Sequence, residues 1–164
     1  MGRTQDHADA LMAATLAAYT TANVDPPARR FVSFARMEEE ADSPTACAVE
    51  QLSVHVHSIS GGLPGFGGDL PLAPRQTVRQ IELGVRVSRC VPTVDDRGNP
   101  PTAERVGEAS GVMADDMDAL GVLAVAVVGG GVFGDCAGVT VGAVRNLGVA
   151  GDMHAVGFTV LAQY

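Results

Sequence analysis

Two stretches in the middle of the chain alternate apolar and polar residues with a period of two. From Cys47 to Ile59, Leu52, Val54 and Val56 fall on one parity, and Gln51, Ser53, His55 and His57 on the other. From about Gln76 to Cys90, Ile81, Leu83, Val85 and Val87 alternate with Gln80, Glu82, Arg86 and Ser88. Such alternation marks a strand that buries one face, so the pair predicts a hairpin of two long antiparallel strands. Gly61 to Pro74, rich in Gly and Pro, reads as the irregular loop between them. The polar parity, with Gln51, His55, His57, Glu82 and Arg86, is the predicted contact surface toward solvent or a partner subunit.

Helical periodicity brackets this hairpin. Ala8, Leu11, Met12, Thr15, Leu16 and Tyr19 share one face of a helix, which Asp25-Pro-Pro27 must end because a residue before proline leaves the helical region. Arg29 to Arg36 reads as a short strand and Met37 to Thr45 as a solvated loop. Asn99-Pro-Pro-Thr102 predicts a helix start. From there Val106, Ala109, Met113, Met117, Leu120, Ala124 and Val127 form a stripe, with Glu104, Glu108, Asp115 and Asp118 largely off it. Gly129-Gly-Gly131 stops that helix. Val139 to Val144 and His154 to Leu161 predict a second hairpin, turning around Asn146 to Gly151. The order α-β-β-β-α-β-β implies a single α+β domain over residues 1–164: an antiparallel or mixed sheet with the two helices packed on it, and long loops at 60–75 and 129–138.

Composition narrows the partners. The net charge is −8 and the chain has no Lys, which argues against binding to a phosphate backbone. An acidic ring lumen would instead repel DNA and let it slide. The apolar run Leu120 to Val128 is too short to span a bilayer, and Arg3, Asp6, His7 and Asp9 interrupt any N-terminal signal region, so no membrane contact and a cytoplasmic chain are expected. Cys47, Cys90 and Cys136, an odd and dispersed set, are expected to be reduced thiols.

Candidate chemistry is sparse. Gly129-Gly-Gly-Val-Phe-Gly134 matches the dinucleotide fingerprint, but the preceding apolar run continues a helical stripe and no amphipathic helix follows. His55 and His57 share a strand face and could begin a metal site, yet no further ligands stand at chelating spacing. Asp95-Asp96 reads as a tight turn. Asp115-Asp116-Met-Asp118 reads as a solvated helix face, because neighbouring acids on a helix point apart. No nucleophile sits in a recognisable elbow, so neither an enzyme nor a cofactor is expected.

Cys47-Ala-Val-Glu-Gln-Leu-Ser-Val54, Ile81-Glu-Leu-Gly-Val-Arg-Val-Ser-Arg-Cys-Val-Pro-Thr93, Gly98-Asn-Pro-Pro-Thr-Ala-Glu104 and Asp115-Asp116, in that order of elements, resemble the tail-terminator family. These are neck proteins of actinobacteriophages with long non-contractile tails. The resemblance runs from about Phe31 onward. It implies a virion protein, present in the host cytoplasm during assembly, that forms a homohexameric ring on the head-proximal end of the tail tube. The ring would end polymerisation, meet the tail tube protein and the head-completion or connector protein, and let genomic DNA pass through its lumen without specific binding. The family brings no catalytic residues. A head-closure or connector protein, a tail-tube subunit, and a small nucleotide-binding protein using residues 129–134 stand as alternatives.

Overall fold

A computed structural model describes residues 3–34, 50–62, 78–134, 136–150 and 152–164. The first helix, α1 (Arg3–Ala22), carries the predicted apolar face, with Ala8, Leu11, Thr15, Ala18 and Tyr19 buried. It ends before the prolines, on Asn23. That residue takes the left-handed conformation at φ 56°, while Asn23 N–H donates to the Thr20 carbonyl and Val24 N–H to the Tyr19 carbonyl. Both bonds satisfy carbonyls that a helix end leaves orphaned.

Strands β1 (Arg29–Ser33), β2 (Gln51–Gly62) and β3 (Val78–Cys90) follow, then α2 (Ala103–Val128), β4 (Gly138–Val141), β5 (Arg145–Ala150) and β6 (Met153–Gln163). The six strands form one sheet in the order β1-β2-β3-β6-β4, with β5 also paired to β6. β2 and β3 make the predicted antiparallel hairpin, and β6 continues the antiparallel pairing on the far side of β3. β4 pairs the C-terminal half of β6 and β5 its N-terminal half, so the two form one interrupted edge strand. The second hairpin is therefore present, and its first arm runs on to Ala150. Among the described strands only β1 pairs in parallel, with β2. The fold is α+β with a mixed sheet and two helices, in the expected order.

Both helices cover one face of the sheet. Leu52, Val54 and Val56 of β2, Ile81 through Val87 on alternate positions of β3, and Val156, Phe158 and Val160 of β6 meet Leu11 and Tyr19 of α1 and Leu120, Leu123 and Val127 of α2 in one core. Each fully buried side chain of this kind stabilises by about 1.5–3 kcal/mol. α1 lies over the β1–β2 end and α2 over the β6–β4 end.

Three expectations change. The alternation in β2 is broken by a bulge between Val56 and Ser58. The extra residue, His57, moves Ile59 opposite Ile81 and puts Ser58 opposite Glu82, whose carboxylate accepts its hydroxyl at 3.1 Å. The bulge shifts the parity so that Ile59 shares the face of Ile81, although Ile59 itself stays 48% exposed near this end of the strand. The buried stripe of α2 is Asp116, Ala119, Leu120, Leu123 and Val127, which shares only Leu120 and Val127 with the expected one. Cys90 is disulfide-bonded, so the chain is not a set of reduced thiols. Cys47, the loop Met37 to Thr45 and most of the 60–75 loop lie outside the described residues. No helix is long and apolar enough to cross a membrane among the residues described.

Candidate functional site

The inner parity of β3 does not stop at Val87. Arg89 is next on that face and points at α2, where Asp116 is fully buried. Arg89 Nε donates to Asp116 Oδ2 at 2.9 Å and an Nη to Oδ1 at 2.8 Å, a two-pronged pair. The Tyr19 hydroxyl donates to the same Oδ1 at 2.8 Å. The guanidinium also reaches Glu50 at 2.8 Å and the Asp25 carbonyl at 2.8 Å. One arginine thereby joins β3, α2, the connection after α1 and the start of β2, and Tyr19 adds α1. A buried charge needs a partner and filled hydrogen bonds, and this one has both.

Titration follows from that packing. Burial, then the charge and hydrogen bond of Asp116, push the Tyr19 phenol well above its ordinary range. Burial works to lower Arg89, but Asp116 and Glu50 outweigh it and hold the guanidinium protonated. The cluster is charged, enclosed and fixed, so it serves as a strut. The sequence carried a signal for it: Asp116 stands four and seven residues before Leu120 and Leu123, on the core face.

The predicted contact face divides. His55 is 0% exposed, so it is not a surface residue. Its Nε2 meets the Ser53 hydroxyl at 2.7 Å, with the Phe31 ring edge-on to it at 6.4 Å. Alternation gave the right parity, and on that outer face the Phe31 ring of β1 lies beside the imidazole. Gln51, His57, Glu82 and Arg86 are half-buried. Glu82 borders a shallow open groove of about 350 Å³ with Thr140, Val141, Gly142, Thr159 and Leu161. Among the described residues no group of three or more His, Cys, Asp or Glu could hold a metal.

The glycine run begins at a helix C-terminus. Gly129 caps α2 and Gly130 takes φ 79°. Carbonyls rather than N–H groups face the loop there, the wrong polarity for phosphate. The loop is also anchored: Phe133 is buried and stacks on the His7 ring at 5.4 Å.

Among the described residues, the N-terminal half of α2 is sparsely covered. From Ala103 to Asp115 no residue is buried. Thr102 caps it, accepting the Arg105 N–H at 3.4 Å. Before it, Asp95 closes a turn by accepting from Arg97 N–H, Asn99 N–H and the Asn99 amide. On the solvent side, Val125 is 74% and Val128 65% exposed, and Met117 and Val122 are partly so. Glu104, Glu108, Asp115 and Asp118, spaced 4, 7 and 3 apart, form an exposed acidic stripe on one helical face. No model of a known protein family matches the chain, and no characterised protein matches it.

Proposed function

We propose that this chain is a structural subunit of a phage neck, a tail terminator whose copies form a ring on the tail tube, end its growth and join it to the head. The observation that carries the proposal is the long helix α2. It is fixed on the sheet by one face and leaves a second face, apolar and acidic, uncovered in the single chain. Exposed apolar surface of this kind belongs to proteins that act through contacts. Two of the residues behind the family resemblance, Arg89 and Asp116, are also the pair that locks α2 in place. The resembling stretches therefore specify how the helix is held, which a shared fold requires.

Function on this proposal lies in interfaces, with the tail tube protein on one side of the ring and the head-completion protein on the other. The acidic balance suits a lumen that DNA traverses without adhering. The test is electron microscopy of particles from a phage whose copy of the gene is disrupted. Overlong or irregular tails separated from filled heads are expected. Emptied heads beside tails of normal length would move the role to head closure, and normal infectious virions would overturn the proposal.

A further inference from the structure

We infer that copies of the chain join head to tail, the exposed acidic and apolar face of α2 in one copy seating on the β1 edge of the next. The inference rests on the ring reading above and adds which surfaces meet. A ring built by rotation needs two different, complementary patches on each subunit, and the fold supplies them at opposite ends. β1 is one edge strand of the sheet, and α2 covers the other end, over β6 and β4.

Their charges are opposite. α2 presents Glu104, Glu108, Asp115 and Asp118, all exposed, against a single exposed Arg105. β1 begins with Arg29 and Arg30, both exposed, and Phe34, just beyond its end, is 59% exposed.

The two patches also stand level along the strands. Arg29 is in register with Gln51, which is in register with Ser88. The next residue, Arg89, grips Asp116, so Asp115 and Asp118 of α2 lie near the level of Arg29 and Arg30. Moving toward the Gln80 end, Val125 follows Asp118 by about 10 Å of helix, and Phe34 follows Arg30 by about 13 Å of strand. Charge therefore meets charge, and apolar meets apolar, when copies stand side by side without sliding along the strands.

The exposed part of α2 has a need for such a partner. It contains Gly107 and Gly111, each costing about 1 kcal/mol relative to alanine, and a lone helix of that length is marginal in water.

The experiment is a charge swap in the full chain, read by analytical ultracentrifugation and native mass spectrometry, with circular dichroism to verify folding. Arg29→Glu with Arg30→Glu is expected to weaken self-association by about a hundredfold, a coupling within the range of close interfacial charge pairs. Adding Asp115→Arg and Asp118→Arg is expected to restore it. A wild-type chain that stays monomeric at millimolar concentration, reversals that leave association unchanged, or a folded swap that fails to recover would each overturn the inference. The tail-length phenotype judges the neck role separately, because overlong tails in the disrupted phage would stand even if the subunits met through other surfaces.

Discussion

Replacing Asp116 by alanine strands a buried guanidinium and a buried phenol in one step. Arg89 keeps Glu50 and the Asp25 carbonyl, but loses both prongs of its main partner, and Tyr19 loses its acceptor. Breaking a buried ion pair from one side costs about 3–5 kcal/mol. The half-exposed Glu50 places Arg89 at the low end of that range, and the orphaned Tyr19 hydroxyl adds about 1 kcal/mol. The expected loss is therefore about 4 kcal/mol, a large share of the roughly 5–15 kcal/mol that holds a domain together. For a chain of this size it lowers Tm by about 8–16 °C. Urea unfolding followed by circular dichroism measures it, with the exposed Asp118→Ala as a control expected within about 0.5 kcal/mol of wild type. In the same variant the Tyr19 phenol should ionise closer to its ordinary range, visible in tyrosinate absorbance. A loss below about 1 kcal/mol would refute the assignment of Asp116 as the buried anchor. A second variant separates mechanism from damage: Tyr19→Phe, Arg89→Met and Asp116→Leu together should regain most of the loss, because apolar packing replaces a buried pair at little cost.

Two further outcomes follow from the sheet. Gly157 faces β3 so closely that a Cβ would collide with the Val85 carbonyl oxygen and crowd Leu147; Gly157→Ala is expected to destabilise by about 3 kcal/mol or more, measured by thermal unfolding. His154, 6% exposed and hydrogen-bonded through Nε2 to Asn146 at 2.6 Å, is held below its ordinary pKa of 6.5 by burial. Because the folded chain then binds fewer protons than the unfolded one, its contribution is complete above pH 6.5 and fades as pH falls toward the folded value. Tm should drop between pH 7.5 and 5.5, and His154→Gln should flatten that slope.

Much of the fold was legible because period and punctuation agree. The β2–β3 hairpin shows as alternation broken at one bulge, Thr102 and Gly129 bound α2 as a cap and a stop should, and α1 buries Ala8, Leu11, Thr15 and Tyr19 of its expected stripe, with Met12 and Leu16 half-buried. What escaped was set by contacts between distant segments. β1 pairs in parallel with β2, and nothing local distinguishes parallel from antiparallel partners in five residues. The bulge at His57 is set by the cross-strand register that places Ile59 opposite Ile81, and Ile59, 48% exposed, gives no burial signal for it. Asp116 looked solvated because its neighbours Asp115 and Asp118 are; its place on the Leu120–Leu123 face, and Arg89 on the inner parity of β3, were the two halves of a signal that means something only when paired.

That pair also bears on how the chain could assemble. Apolar packing positions a helix on a sheet through interdigitated side chains, and a buried ion pair adds a directional constraint to it. A two-pronged bond is directional, and a shift of α2 by one turn, about 5.4 Å, would carry Asp116 out of reach of Arg89. Of the acidic residues on α2, the exposed Asp115 and Asp118 flank this fixed point, so their height relative to β1 is set by the strut and not by the softer contacts around it. A subunit that must present complementary charges at matched levels on two opposite edges needs such a reference. The Asp116→Leu triple variant tests that separation directly: it should keep most of its stability yet associate more weakly than the wild type, since its α2 has lost the directional tie to β3 while its surface charges are unchanged.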